Sequence, residues 1–187
     1  MKRFLSLILA AVMVLSLTPM AAFVVSAATV SDEQGVVYDL SFDGTYYRVK
    51  SYTGTATDVV IPAEYEGLPV QEILDYAFYY SEIITSVVIG DSVTVIGNGA
   101  FAYCANLTSV VIGNPVTNIG DYAFAYSKNL TSIVIPESVT VVNNYVFYDC
   151  TSLTDIYCEA ESQPESWSDE WNYALEATVH WGYGASS

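Results

Sequence analysis

Few residues in this chain are of types suited to chemistry, and their surroundings give most of them other work. His180 is the single histidine, so a histidine-rich metal site is excluded, and a Ser-His-Asp arrangement would have to be built around it. It lies near Trp167, Trp171 and Trp181 in the tail, where a terminal cap is expected, and reads as a structural residue beside those indoles. Carboxylates occur close together, as in Asp169-Glu170 and Glu159/Glu161. They sit in a polar, solvated stretch that offers no cause for the raised pKa of a general acid. No phosphate-binding glycine loop, zinc-ligand spacing or EF-hand pattern is present. Acidic loops could hold calcium only weakly and unspecifically. The expectation is therefore a non-enzyme, with no catalytic residues, no cofactor and no metal. The three tryptophans could stack on sugar rings, but closing the last unit of a repeat array is the favoured use of them.

Cys104, Cys150 and Cys158 make an odd count. Cys104 and Cys150 occupy equivalent places two repeats apart, which stacked strands would separate by ~9–10 Å. A disulfide needs Cα atoms within about 7 Å. Ser127 fills the same place in the intervening repeat, so the slot calls for a small, semi-polar buried side chain. Spacing does not exclude a Cys150–Cys158 pair, although Cys158 aligns with the inward Ile112 and Ile135, which favours burial.

The elements that position all of these follow from a period. Phe78, Phe101, Phe124 and Phe147 recur every 23 residues. Ile84-Thr85-Ser86-Val87-Val88-Ile89 is repeated at Leu107–Ile112 and Leu130–Ile135, with a worn copy at Leu153–Cys158. A fixed short period means one supersecondary unit stacked on itself. Within a unit, Leu107, Val110 and Ile112 should point inward from a short strand, while Thr108, Ser109 and Val111 point out. Gly113-Asn114-Pro115 then turns the chain, and Val116-x-x-Ile119 makes a second extended stretch. Asp121 should cap a short turn of helix that inserts Ala123-Phe124 into the centre. In the first unit Glu64–Pro69 adds five residues and should bulge out as a loop. Upstream, Val36–Phe42 and Tyr46–Tyr52 flank Asp43-Gly44-Thr45, a hairpin signal that would seal the open edge.

This gives a mainly β fold, a solenoid of 23-residue repeats with short helical turns. The expected division is a signal peptide at 1–28, an N-terminal hairpin cap at 29–56, the solenoid at 57–157, and a Trp-rich C-terminal cap at 158–187. The leader has a basic start at Lys2-Arg3, an apolar run from Phe4 to Leu17, Pro19, and small residues at Ser26-Ala27-Ala28. No cysteine follows to take a lipid, and the last residues, Gly182–Ser187, form neither an apolar tail nor a sorting motif. Loss of Lys2 and Arg3 would move the formal charge from −16 to −18, leaving only Arg48, Lys50 and Lys128 as bases. Such a chain should repel nucleic acid and anionic lipid.

From Ile135 to Thr154 the sequence Ile-Pro-x-Ser-Val-Thr-x-Val, then Phe147, Cys150 and Leu153-Thr154, resembles the BspA-like, Treponema-type leucine-rich repeat family. Asp43–Gly54 with Ile61–Val70 is similar to the usual start of such arrays, and Tyr157–Trp171 with Val179–Gly182 to their usual end. The resemblance implies a secreted or surface protein of bacteria, often host-associated, whose relatives bind host matrix proteins.

Outward strand positions would stack into ladders: Thr85/Thr108/Thr131/Thr154, Ser86/Ser109/Ser132/Asp155 and Val88/Val111/Val134/Tyr157. This uncharged stripe on an acidic chain is the expected docking face, for a protein on a host or bacterial surface. The mature chain should be a monomer that does not insert into membranes. A spacer without its own ligand is the alternative, though an array of about 25–30 Å would be short for a stalk.

Overall fold

The computed structural model describes residues 29–184, so the leader expected over 1–28 lies outside the described residues. At the N-terminus β1 (Thr29–Ser31), β2 (Val36–Leu40) and β3 (Tyr47–Tyr52) form an antiparallel sheet. The β2–β3 hairpin is the one its Asp-Gly turn calls for, while β1 carries no comparable sequence signal. Asp43 Oδ1 accepts from the hydroxyls of Ser41 and Thr45 and holds the hairpin tip.

Next come β4 (Asp58–Ile61), β5 (Glu64–Tyr65) and β6 (Leu68–Ile73). The five added residues do not bulge out as a loop. Glu66 and Gly67 take φ of 49° and 82°, and β5 folds back on β6 with Tyr65 opposite Leu68. The driving contact is aromatic: Tyr65 stacks on Tyr38 at 4.2 Å and meets Tyr47 edge-on at 5.2 Å. Thus the insertion is folded onto the cap.

Three regular rungs follow, each with two strands: β7 (Ser86–Ile89) and β8 (Val95–Ile96), β9 (Ser109–Val111) and β10 (Asn118–Ile119), β11 (Ser132–Ile135) and β12 (Val141–Val142). The array closes with β13 (Asp155–Cys158) and β14 (Thr178–Trp181). Strands β3, β6, β8, β10 and β12 continue the cap sheet as parallel neighbours. The opposite side is made by two parallel sheets, β4-β7-β9 and β11-β13-β14. β9 and β11 lie side by side without a common ladder.

The apolar period accounts for the interior. Leu107, Val110, Ile112, Val116, Ile119 and Phe124 are all buried, whereas Thr108, Ser109 and Val111 are exposed. The phenylalanines form a continuous stack with centroid spacings of 4.9, 5.4 and 5.7 Å from Phe78 to Phe147. Tyr52 of the hairpin extends it at one end, and Trp171 closes the other by standing perpendicular to Phe147. Burying each phenylalanine contributes about 1.5–3 kcal/mol, which no rung could obtain alone.

The segment carrying each phenylalanine is not a helix, and no helix occurs among the described residues. Tyr76, Tyr80, Gly99, Tyr103, Tyr122, Tyr126, Tyr145 and Asp149 have φ between 55° and 61°, two left-handed residues in each turn. Between them the N–H groups alternate. Phe78 donates to Ala100 O of the next rung, and Tyr79 donates to Tyr76 O within its own turn. A left-handed non-glycine residue costs roughly 1–2 kcal/mol, offset here because the zigzag saturates the backbone on both sides. The expected N-cap is corrected accordingly. Asn98 N–H donates to Asp75 Oδ1, Asp121 N–H to Asn98 Oδ1 and Asn144 N–H to Asp121 Oδ1, at 2.7–2.8 Å. These side chains tie rung to rung instead of capping their own turn. Gly97 and Gly120 permit the approach, since a Cβ on either would lie 2.6 Å from a backbone nitrogen of the preceding rung.

Candidate functional site

The strand side presents three outward rows. The first begins with Val60, paired in register with Val88 and through it with Val111. Beyond the β9/β11 boundary it continues through Val134, Tyr157 and His180. Val60, Val88, Val111 and Val134 are 50, 40, 54 and 36 % exposed, large values for valine on a strand. Val60 and His180 extend the row anticipated from the repeats. Both obey the same logic: Val60 is displaced by the five-residue insertion, and His180 lies 23 residues after Tyr157.

The second row, Ser86, Ser109, Ser132 and Asp155, starts at Asp58 and ends at Thr178. It is acidic only toward its ends. Ser86 donates to Asp58, and its hydroxyl holds the Asp58 carboxyl below the usual range. The third row sits at the corner preceding each strand. Thr85, Thr108 and Thr154 donate their hydroxyls to Thr57 O, Thr85 O and Thr131 O of the preceding rung. They therefore serve the array as well as its surface. Thr108, Thr131 and Thr154 are exposed, Thr85 and Ser86 are half-buried, and Ser109 and Ser132 are exposed. Tyr157 is half-buried under its neighbours, stacked on His180 at 4.6 Å and against Tyr183 at 4.8 Å.

His180 does not stand beside the tryptophans as expected. Its Nε2 lies 2.8 Å from Asp155 Oδ1, and that contact, first among several, lowers the Asp155 pKa. Two of the tryptophans occupy the interior instead, and Trp181 is half-buried at its edge. Trp167 and Trp171 are 3 and 1 % exposed and pack together at 5.3 Å, with Trp181 against Trp167 at 5.7 Å. Trp167 and Trp171 have no free face for a sugar ring, and Trp181 is half-buried against Trp167, so the cluster closes the end of the array. Trp167 Nε1 donates to Val139 O, supplying the partner a buried indole requires.

All three cysteines are buried and free. Cys104 and Cys150 donate through Sγ to Phe78 O and Phe124 O, and Ser127 donates through Oγ to Phe101 O. One slot with one donor geometry accepts either residue. Burial pushes each of the three thiols up to about 12. Among the described residues no three His, Cys, Asp or Glu side chains gather as a metal-holding group, and no helix is long and apolar enough to cross a membrane.

Residues 71–166 match the BspA type leucine-rich repeat region in six copies. Among solved structures, a leucine-rich repeat protein from Bacteroides capillosus is 28 % identical, with 82 % of this chain and 97 % of that one covered and a TM-score of 0.58. A leucine-rich cell surface protein from Faecalibacterium prausnitzii is 26 % identical over 85 % of this chain but only 40 % of its own length, with a TM-score of 0.67. The leucine-rich repeat protein of T. pallidum is 25 % identical, covering 68 % of this chain and 70 % of that one, with a TM-score of 0.56. No curated protein matches the sequence.

Proposed function

Because the chain belongs to the BspA-type leucine-rich repeat family, we propose that it is a secreted or surface-held binding module that docks a host or bacterial surface protein on its strand face. The observation carrying this reading is the exposed Val60–Val134 row. It is flanked by serine and threonine on a chain of formal charge −16. An apolar stripe with a neutral polar margin suits a protein partner, and its rigid backing by the phenylalanine stack lowers the entropy lost on docking. The cell-surface relative from Faecalibacterium supports the location.

The test uses residues 29–187 against a panel of immobilised host matrix proteins. Saturable binding that persists in about 1 M salt is expected, because charge pairs are screened there and apolar contacts are not. The double variant Val111→Arg/Val134→Arg should lose binding with an unchanged circular-dichroism spectrum. Binding that disappears in salt, or survives the double substitution, would reject the face.

A further inference from the structure

The turn side carries a second surface that the strand face does not involve. Tyr103 stacks on Tyr126 at 4.3 Å, Tyr76 and Tyr103 both meet Tyr79 edge-on, and Tyr122 stacks on Tyr145 at 5.1 Å. Tyr76, Tyr103, Tyr122, Tyr126 and Tyr145 are left-handed positions of the repeat, so tyrosine follows tyrosine across neighbouring rungs. The belt is broken at one place. Where Tyr76, Tyr122 and Tyr145 stand in their rungs, the intervening rung has Gly99, and Ala102 and Ala125 hold the places of Tyr79 and Tyr148. The result is a notch of about 280 Å³ floored by Gly99, Ala102 and Ala125 and walled by Tyr76, Tyr79, Tyr103, Tyr122 and Tyr126. Tyr76 leans over the floor: a Cβ on Gly99 would lie 2.6 Å from its ring. Glycine is what keeps the notch open.

We propose that this notch is a cation–π receptor for the guanidinium or ammonium head of an arginine or lysine in a basic protein segment. Tyrosine faces carry the negative side of the ring quadrupole and attract a cation lying within about 6 Å of a centroid. The floor offers only methyl groups and glycine, with none of the polar side chains that would read the hydroxyls of a sugar. No lining residue is charged, so no internal cation competes. Charge complementarity points the same way. Asp75 and Asp121 immediately precede Tyr76 and Tyr122. Of the three basic residues in the described chain, Arg48 is paired with Asp39 and Lys128 with Asp149. A basic segment would thus be drawn by the acidic surface and held by the rings, and the site stands whether or not the strand face binds.

The probes are a hexa-arginine peptide, tetramethylammonium chloride and cellohexaose, titrated calorimetrically into residues 29–187. Single-site binding of the peptide, displaced by tetramethylammonium, is expected. Gly99→Tyr restores the residue found in the neighbouring rungs, fills the notch and leaves the charge unchanged. It should weaken peptide binding about tenfold, the scale of a desolvated cation–π contact. Ala102→Tyr fills the notch from the adjacent position and should do the same, which covers the case of a misfolded first variant. Undiminished peptide binding in a folded filled-notch variant would show attraction to net charge alone and overturn the proposal. Binding of cellohexaose without the peptide would also overturn it, in favour of a sugar site.

Discussion

The two long sides of the solenoid are built from the same period and have opposite characters. On the strand side the regular rungs repeat threonine, serine and valine, so the rows run level until they reach Asp155, Tyr157 and His180. On the turn side each rung offers bulky tyrosines, but one rung substitutes Gly99 and Ala102, and the ladder opens into a notch. Regular repetition yields a surface, and a lapse in repetition yields a site. A flat surface suits an extended protein contact and a notch suits a single side chain. Both depend on the phenylalanine stack between them.

The largest expected effect therefore comes from breaking that stack. Phe124→Ala removes a fully buried ring held between Phe101 and Phe147. It should cost about 3–5 kcal/mol in urea denaturation and impair both sides together; a cost below 1 kcal/mol would mean the rungs are stable separately. Next is Gly120→Ala, which forces a Cβ to within 2.6 Å of Asn98 N. Its expected cost is about 1–3 kcal/mol, with the turn side disturbed before the strand side in hydrogen exchange.

The cysteine slot separates positions that look alike in composition. Cys104→Ser should cost less than about 1 kcal/mol, since Ser127 already makes the equivalent bond to a phenylalanine carbonyl. Cys158→Ser should cost more, because it buries a hydroxyl at an inward strand position lined by apolar side chains, without the carbonyl partner that Cys104 and Cys150 have. With burial raising all three thiols to about 12, a thiol reagent at pH 8 should count none in the native protein and three after non-reducing denaturation. A count of one after denaturation would reveal a disulfide.

The smallest effect lies at the end of the strand face. Asp155 has its pKa lowered chiefly by His180. A carboxyl depressed in the folded state stabilises above its unfolded pKa and loses that stabilisation as pH falls through the folded value. Thermal scans should show this loss only below about pH 4, and Asp155→Asn should remove it. An unaltered acid limb in that variant would mean that the His180 contact contributes nothing in solution.

Much of this was legible because stacking in register turns a sequence interval into a spatial neighbour. Phe78 to Phe147, the inward Leu107, Val110 and Ile112, and the outward valines could be placed from the 23-residue interval alone. Trp171 was harder, since it falls 24 residues after Phe147 and ends the stack one position late. His180 keeps the interval from Tyr157, but Thr178-Val179-His180-Trp181 shares too few residues with Asp155-Ile156-Tyr157-Cys158 to be read as its copy. The hairpin at Glu64–Pro69 depends on Tyr65 finding Tyr38, a contact across 27 positions that no local signal carries. The turn was mistaken for a helix because Asp121 resembles an N-cap, whereas its carboxylate bonds to the next rung. Tyr80, Tyr103 and Tyr126 share the same interval, but the belt is not read from it; the left-handed backbone and the gap at Gly99 define it.

One measurement tests the division of labour between the two sides most directly. A host matrix protein that binds the native chain should be titrated against Val111→Arg/Val134→Arg and against Gly99→Tyr under the same conditions. Binding lost in the first and kept within about twofold in the second is the predicted result, a twofold change being under about 0.5 kcal/mol. Binding kept in the first and lost in the second would contradict the strand face as the docking surface.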